Sequence, residues 1–387
     1  MSTERYQAVI VGAGLVGAAA ALALGRQGLR VALVERQPPR APDASWDTRI
    51  YAISPAPQRF LERIGAWQRL DPARIQPVFR MDVAGDTTGA LRLDAYESGV
   101  SHLATILESG RLQYALWQAI EDDGSVAVHC PAAIASIERG DPFTRIALDD
   151  GTVLETELVV GADGAASRIR EWAGLASTVS PYGQSGVVAN FECERPHRGT
   201  AFQWFFDSDI LAWLPLPGNR LSIVWSTRTE QADALVALDD AALIEKVRAA
   251  GHDRLGGLRL LTPAAAFPLR LIRVESAVAP GVALIGDAAH GVHPLAGQGV
   301  NLGFGDAEVL VDVLARYRQT RSYCGDVRVL QHYARERAEP VLRMQALTHG
   351  LHHLFADPRA GWLRNAGMRI VDHMPPLKAT LVREAMS

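Results

Sequence analysis

Residues 8–17, AVIVGAGLVG, form a short apolar run that ends in the spacing Gly12-x-Gly14-x-x-Gly17. An Ala- and Leu-rich helical pattern follows, and a second apolar run then ends in Glu35. This order predicts a β-α-β unit in which Gly12 makes the tight turn, Gly14 admits a pyrophosphate and Gly17 allows close helix–strand packing. Glu35 could accept hydrogen bonds from both ribose hydroxyls and would repel a 2′-phosphate, which favours FAD or NAD over NADP.

A second connection from a strand to a helix lies at residues 283–303, ALIGDAAHGVHPLAGQGVNLG. Its apolar run ends in Gly-Asp, which places the Asp287 carboxylate at the end of a strand, where it can accept hydrogen bonds from polyol hydroxyls. The helical pattern beyond it begins with unpaired N–H groups and a partial positive charge. Gly297, Gly299 and Gly303 let a planar cofactor approach the backbone without Cβ clashes.

A third connection of the same kind lies at residues 158–170, where an apolar run ends in Asp163-Gly164 and Ser167 and Arg170 follow. Asp163 is a candidate cofactor contact on this pattern. An ordinary Asp-Gly turn with a serine helix cap explains the same residues equally well. Taken alone, the segment leaves both interpretations open.

Composition limits the class of protein. The 387 residues are 48% hydrophobic, which is enough for one or two large cores, and the net charge of −4 gives no reason to expect nucleic acid binding. No apolar run approaches the ~20 residues of a membrane span, and no signal peptide is evident. Three cysteines without a C-x-x-C spacing favour a reducing cytoplasm and argue against a metal site. Lysine occurs only at Lys246 and Lys378, so a Schiff-base mechanism has almost no candidate nucleophile.

The three connections are too far apart in sequence for one contiguous nucleotide-binding unit. Between the second and third, residues 200–206, 210–216 and 221–227 predict antiparallel strands, followed by a helix at about 239–250. We therefore expect an α/β fold with a doubly wound, Rossmann-like domain that binds a dinucleotide, FAD or NAD, an inserted antiparallel-sheet substrate domain and C-terminal helices. The predicted boundaries are 1–70, 98–178 and 269–340 for the dinucleotide-binding domain, which the resemblance given below makes an FAD-binding domain, 71–97 and 179–268 for the substrate domain, and 341–387 for the helices.

With these motifs in order, the chain resembles the group A flavoprotein monooxygenases, the para-hydroxybenzoate-hydroxylase-like aromatic hydroxylases. The glycine loop with its acid, the Asp163-Gly164 segment and the Gly286-Asp287 turn match the three fingerprints of that family at about the usual separations. Residues 293–303 are similar to the narrower signature of the ubiquinone-biosynthesis hydroxylases.

The resemblance implies a reaction. NAD(P)H binds transiently and reduces FAD, O2 forms a flavin C4a-hydroperoxide, and one oxygen atom passes to the ring of a lipid-soluble, (poly)prenylated phenol or benzoquinol. Three alternatives stay open at this point. They are a hydroxylase of a soluble phenol, an FAD-dependent prenyl reductase that uses no O2, and a flavin-binding assembly subunit without turnover.

The resemblance also assigns roles to residues. Arg49 and Arg111 would anchor the FAD phosphates or ribityl chain, and the backbone at Pro294 and Gly297 would position the reactive edge of the flavin. The N–H groups at the predicted helix start would face the flavin N1–C2=O region. The expected cofactor-binding residues are Gly12, Gly14, Gly17, Glu35, Arg36, Arg49, Arg111, Asp163, Asp287, Gly299, Val300 and Asn301.

Direct catalysis by side chains is not expected, because the flavin carries the chemistry. His293 is the one histidine considered for contact with substrate, whereas His290 is interpreted as a packing or hydrogen-bonding residue. Aromatic residues on strands usually belong to the core. Some of four such residues are nevertheless expected to line the substrate pocket, namely Trp204, Phe206, Trp213 and Trp225.

The C-terminal region alternates large apolar residues with arginines at helical spacing, and prolines including Pro340 are expected to divide it into short helices. A helical cap on the FAD-binding domain is one interpretation. The other is a basic amphipathic surface that docks on the inner membrane or on partner enzymes, with the protein otherwise in the cytoplasm.

Overall fold

A computed structural model describes residues 3–85, 89–206, 209–292, 298–318 and 323–356. Within these ranges the strands, in chain order, are β1 Thr3–Val11, β2 Val31–Val34, β3 Ile50–Ile53, β4 Gln76–Val78, β5 Arg80–Ala84, β6 Ala90–Asp94, β7 Ala104–Glu108, β8 Val126–His129, β9 Ile134–Glu138, β10 Thr144–Leu148, β11 Val153–Gly161, β12 Ser177–Cys193, β13 Thr200–Phe206, β14 Asp209–Leu216, β15 Arg220–Arg228, β16 Leu258–Leu260, β17 Ala265–Val274, β18 Val278–Ala279, β19 Val282–Leu284 and β20 His290–Gly291. The helices are α1 Leu15–Arg26, α2 Pro55–Arg63, α3 Ser109–Asp123, α4 Arg168–Trp172, α5 Thr229–Val236, α6 Asp240–Ala250, α7 Gly299–Arg318 and α8 Val327–Ala356.

The first sheet contains the predicted β-α-β unit. Its parallel strands lie in the order β19-β11-β1-β2-β8, and antiparallel strands extend it through β18, β10 and β9. The adjacent strands β1, β11 and β19 end in one row, because Val11 pairs with Gly161 and Gly161 pairs with Leu284. The loops that follow β1, β11 and β19 therefore leave the sheet side by side at its carboxyl edge, where α/β folds bind ligands.

Helix α1 is buried along almost its whole length, from Gly17 to Gly25. Its small alanine side chains allow α3 and α7 to pack closely beside it, and a helix that is apolar on all sides is buried in this way. The closest approach is at Gly303 of α7, where a Cβ atom would lie 2.6 Å from the side chain of Val16. This packing brings the N-termini of α1 and α7 to the same edge of the sheet.

The second sheet is built mainly from the antiparallel strands predicted for the insertion. Its order is β20-β17-β12-β15-β14-β13-β5-β6, with β16 beside β12. Helices α5 and α6 cover one face, where Leu235, Leu243 and Val247 join the apolar cluster of the sheet. The opposite face meets the small third sheet, β3-β7-β4, through an apolar contact that includes Leu216 and Ile106. The predicted α/β fold with an inserted antiparallel sheet is confirmed.

The C-terminal prediction needs one correction, since Pro340 does not end a helix. Helix α8 runs through it from Val327 to Ala356. Packing on both sides of the proline holds the helix together: Tyr333 donates to the carbonyl of Leu284 over 2.7 Å, and Gln345 donates to that of Ile272 over 2.9 Å. Residues 357–387 lie outside the described residues.

The predicted domain division stays a prediction. Two of its boundaries, at 178/179 and 268/269, fall inside β12 and β17, which continue from one side of the molecule into the second sheet. Among the described residues, the helices are too short or too polar to cross a membrane.

Candidate functional site

The glycine loop between β1 and α1 shows a different physical reason for each glycine. Gly12 has a φ of +103°, and a Cβ atom there would lie 2.5 Å from the carbonyl oxygen of Ala162. A Cβ at Gly17 would lie 2.0 Å from the carbonyl oxygen of Gly12. Gly14 is different, because a Cβ there would meet no protein atom within 4 Å. The loop thus leaves open space at the start of α1, as a bound diphosphate requires.

The carboxylate of Glu35 lies at the end of β2, directly beside this loop. It accepts hydrogen bonds from the backbone N–H groups of Ala13 at 2.6 Å and Arg36 at 2.7 Å. These bonds fix the carboxylate at the mouth of the loop, and the side chain remains half-exposed. The side chain of Arg36 is exposed on the outer side of the same turn.

The turn after β19 carries Asp287. Gly286 takes a φ of +60° and Asp287 lies in a short 3-10 helix, Gly286–Ala288. The Asp287 side chain reaches solvent, yet enough protein surrounds it that desolvation raises the pKa of its carboxyl. The positive charges of His290 and Arg49 act in the opposite direction. Arg49 therefore lies close to Asp287, although 238 positions separate them in the sequence.

A buried carboxylate that the sequence analysis missed supports this turn. Asp306 of α7 is 1% exposed and accepts hydrogen bonds from Gly286 N–H at 2.9 Å, His290 Nε2 at 2.6 Å and Arg337 Nε at 2.7 Å. Burial raises the pKa of Asp306, but the charge and hydrogen bond of His290, the charge of Arg337 and the Gly286 hydrogen bond outweigh it, so the pKa lies below its usual value. His290 is thus a hydrogen-bonding residue beside the turn, as expected. The one available signal was an acid on the apolar face of the predicted helix.

The contacts of Asp163 are those of a helix cap. Its carboxylate accepts from the hydroxyl of Ser167 and from the backbone N–H of Arg168, at the start of α4. Arg170 is buried and donates to the carbonyl of Ala288 at 2.9 Å, which ties this turn to the Asp287 turn. The simpler interpretation of this segment accounts for the side-chain contacts of Asp163.

The start of α7 is tied to the third sheet. Asn301 is buried, accepts from Ser54 N–H at 3.0 Å and donates to the carbonyl of Ala52 at 2.9 Å. Gly299 and Val300 form the first turn of the helix and are half-buried. His293, Pro294 and Gly297 lie outside the described residues.

The two predicted anchor arginines have different surroundings. Arg111 pairs with the buried Glu108 at 2.8 Å and donates to the carbonyl of Asp43 at 2.6 Å, so two of its donors are already engaged. Arg74 also pairs with Glu108, at 2.7 Å. Arg49 is exposed, and its positive charge acts on the Asp287 carboxyl.

The four aromatic residues considered for the substrate pocket lie together on one face of the second sheet. Three rings, Trp204, Trp213 and Trp225, are buried in the cluster under α5 and α6, and Phe206 packs edge-on against Trp225 with the ring centres 5.9 Å apart. These side chains form core on the helix-covered face of the sheet. The opposite face carries half-buried residues from the adjacent positions, including the cross-strand pair of Ala212 and Val224.

Known proteins are similar to this chain along most of its length. Residues 5–347 match the family model described as "FAD binding domain". The chain is 34% identical to 3-demethoxyubiquinol 3-hydroxylase of Escherichia coli K12, covering 100% of both chains, and 34% identical to the ubiquinone hydroxylase UbiL of Rhodospirillum rubrum, covering 98% of this chain and 89% of that protein. A solved structure of a Pseudomonas aeruginosa PqsL mutant superposes with a TM-score of 0.80 at 25% identity, over 95% of this chain and 100% of the other. The chain belongs to the FAD binding domain family.

Proposed function

We propose that this protein hydroxylates the ring of a (poly)prenylated phenol or benzoquinol in ubiquinone biosynthesis, with FAD, NAD(P)H and O2. Two relatives that match it along almost their whole length are named as hydroxylases of ubiquinone or its precursor. The structural observation that carries the proposal is the single row formed by Val11, Gly161 and Leu284. It brings the Gly14 loop and the Asp287 turn together at one edge of the sheet.

The residues at this edge fit FAD in an extended form. The N-terminus of α1 and the space above Gly14 suit the diphosphate, and Glu35 suits the adenosine ribose. Asp287 and Arg49 suit the ribityl chain. Gly299–Asn301, at the N-terminus of α7, would stabilise negative charge on the flavin ring.

Reduced by NAD(P)H, the flavin would supply the activation of O2 that ring hydroxylation needs. The protein's part is to orient the ring and to exclude water. We assign the substrate to the sheet face that carries Ala212, Leu214 and Val224, because these side chains are apolar and only half-buried. This face meets β3, the strand that follows Arg49.

Oxygen labelling tests the reaction. Purified holoprotein is supplied with NAD(P)H, ¹⁸O2 and a short-chain prenylphenol. We expect one labelled oxygen atom in the product and oxidation of NAD(P)H that the phenol stimulates. Reduction of the prenyl chain without label would identify a prenyl reductase instead. Equal turnover of an unprenylated soluble phenol would assign a soluble substrate, and no stimulation at all would indicate a subunit without turnover.

A peripheral membrane position suits a substrate that is dissolved in lipid. Two leucines of α8, Leu342 and Leu347, are 62% and 49% exposed, on a helix that also carries exposed arginines. Apolar side chains beside basic ones are typical of surfaces that insert at the interface of an anionic membrane. We propose that this part of α8 contacts the membrane.

A further inference from the structure

Asn190 of β12 is a fully buried amide, 0% exposed, on the face of the second sheet that meets the third sheet. Its Nδ2 donates to the carbonyl oxygen of Asp47 over 2.8 Å, across 143 positions of sequence. Its Oδ1 accepts no hydrogen bond from any residue that the structure describes. A buried amide with one unpaired polar atom carries a desolvation cost, so an apolar residue would serve packing better. The hydrogen bond to Asp47 is therefore what an amide contributes here and an apolar side chain could not.

The strand does not need this side chain to hold its place. The backbone N–H of Asn190 donates to the hydroxyl of Thr262 at 2.9 Å, and its carbonyl accepts from Leu261 N–H at 2.8 Å. The contact with Asp47 is therefore an addition to a strand that is already anchored. Because the acceptor is a carbonyl, only the amide nitrogen can make it.

Asp47 belongs to a segment, residues 43–49, that leads to Arg49. Its N–H donates to Glu108 at 2.8 Å, and its carboxylate accepts from the N–H groups of Arg49 and Gly110, both at 2.9 Å. The segment is thus held on the cofactor side by Glu108 and the start of α3, and on the substrate side by Asn190. Arg49, whose backbone N–H donates to the Asp47 carboxylate, carries a positive charge that acts on the Asp287 carboxyl.

We infer that Asn190 is a positioning residue for the cofactor site: by holding Asp47, it sets Arg49 beside Asp287 and couples the substrate sheet to the flavin. The inference rests on the proposed function in one respect, the assignment of Arg49 to FAD.

The test compares Asn190→Ala and the isosteric Asn190→Asp with Ser222→Ala. Ser222 is the cross-strand partner of Asn190, is equally buried, and has a hydroxyl without a partner among the described residues. The readouts are the dissociation constant of FAD, from the fluorescence released on dilution of holoprotein, and the product formed per NAD(P)H oxidised. We expect both Asn190 variants to weaken FAD binding by about fivefold to tenfold, the size of one lost hydrogen bond, and to lower the product yield. Ser222→Ala should leave the dissociation constant of FAD unchanged.

A double-mutant cycle with Arg49→Ala separates positioning from a general loss of structure. If Asn190 acts through Arg49, the double variant binds FAD about as weakly as Arg49→Ala alone. The inference would be overturned if the two substitutions weakened FAD binding independently, so that their fold-changes multiplied. It would also be overturned if the Asn190 variants bound FAD like wild type while Arg49→Ala bound it more weakly. The proposed function would survive both results. An Arg49→Ala variant with unchanged FAD affinity would remove Arg49 from the proposed site and the inference with it.

Discussion

At the residue scale, the three glycines of the first loop are not interchangeable. We expect Gly14→Val to give a folded protein that does not retain FAD, because the new side chain enters the space proposed for the diphosphate, and its Cβ meets no protein atom within 4 Å. FAD content after gel filtration and the thermal unfolding of the FAD-free protein measure the two effects.

Gly17→Val is the matched control. Its Cβ would overlap the carbonyl of Gly12, so we expect this variant to be unfolded or strongly destabilised whether or not FAD is present. Full FAD occupancy in Gly14→Val would show that the loop does not hold the cofactor.

Asp287 should favour FAD binding but lower the stability of the FAD-free protein. Desolvation raises the pKa of its carboxyl, so at neutral pH the ionised form is less favourable in the folded chain than in the unfolded chain. We expect Asp287→Asn to raise the Tm of the FAD-free protein and to weaken FAD binding. A lower Tm with unchanged FAD affinity would mean that the residue is structural.

Replacing Asp306 should lower the stability of the protein, in contrast to replacing Asp287. Asp306→Asn leaves Arg337, whose side chain is only 11% exposed, without a charged partner, and the loss of one partner of a buried ion pair costs about 3–5 kcal/mol. The matched control is Arg316→Ala, which breaks the exposed pair with Glu336 between the same two helices and should cost less than about 1 kcal/mol. Urea unfolding of the two variants measures the difference, and equal losses would contradict a special role for the buried acid.

The same carboxylate predicts a pH dependence. Because its pKa in the folded protein lies below the ordinary value of about 3.9, its contribution is complete above that pH and is lost as the pH falls through the lower, folded value. The free energy of unfolding of wild type should therefore fall more steeply below about pH 4 than that of Asp306→Asn.

At the scale of elements, the two faces of the second sheet should respond differently to substitution. Val224→Phe fills the half-buried face and should raise KM for the phenol severalfold with little change in Tm. The neighbouring Trp225→Phe removes a hydrogen bond to Asp209 and some core volume, so it should lower Tm and leave KM unchanged. Identical KM values for wild type and Val224→Phe would place the substrate elsewhere.

These faces also show what the sequence could predict. The strands and the glycine loop were predictable because their signals are local: period-two apolar runs, turn residues and fixed glycine spacing. The alternation of side chains along a strand places Val224 and Trp225 on opposite faces of the sheet. Which face becomes core depends on where α5 and α6 pack, and that tertiary contact is not encoded in the local pattern. The links from Asp306 to Arg337 and from Asn190 to Asp47 join distant segments, so no local pattern marks them. Pro340 failed as a helix end because packing on both sides outweighs its local cost.

At the scale of the whole molecule, contact with a membrane depends on exposed side chains of α8. We expect Leu342→Ser combined with Leu347→Ser to reduce the fraction that floats with anionic vesicles, because less apolar surface is then available for insertion. FAD content and turnover of a short-chain phenol should persist. The control is Val236→Ser, a single substitution at an exposed apolar site on α5. Flotation equal to that of wild type would remove α8 from the membrane contact.

The row formed by β1, β11 and β19 has a consequence for synthesis on the ribosome. Its outer parallel strand, β19, is made more than 270 residues after β1, and α7, which packs on α1, is made later still. Until then the end of β11, residues 159–161, lacks its partner strand on one side, and an open apolar strand edge is prone to pairing with other chains. Cofactor capture must therefore be a late event, and we expect premature termination anywhere before α7 to yield a fragment that aggregates rather than a smaller flavoprotein.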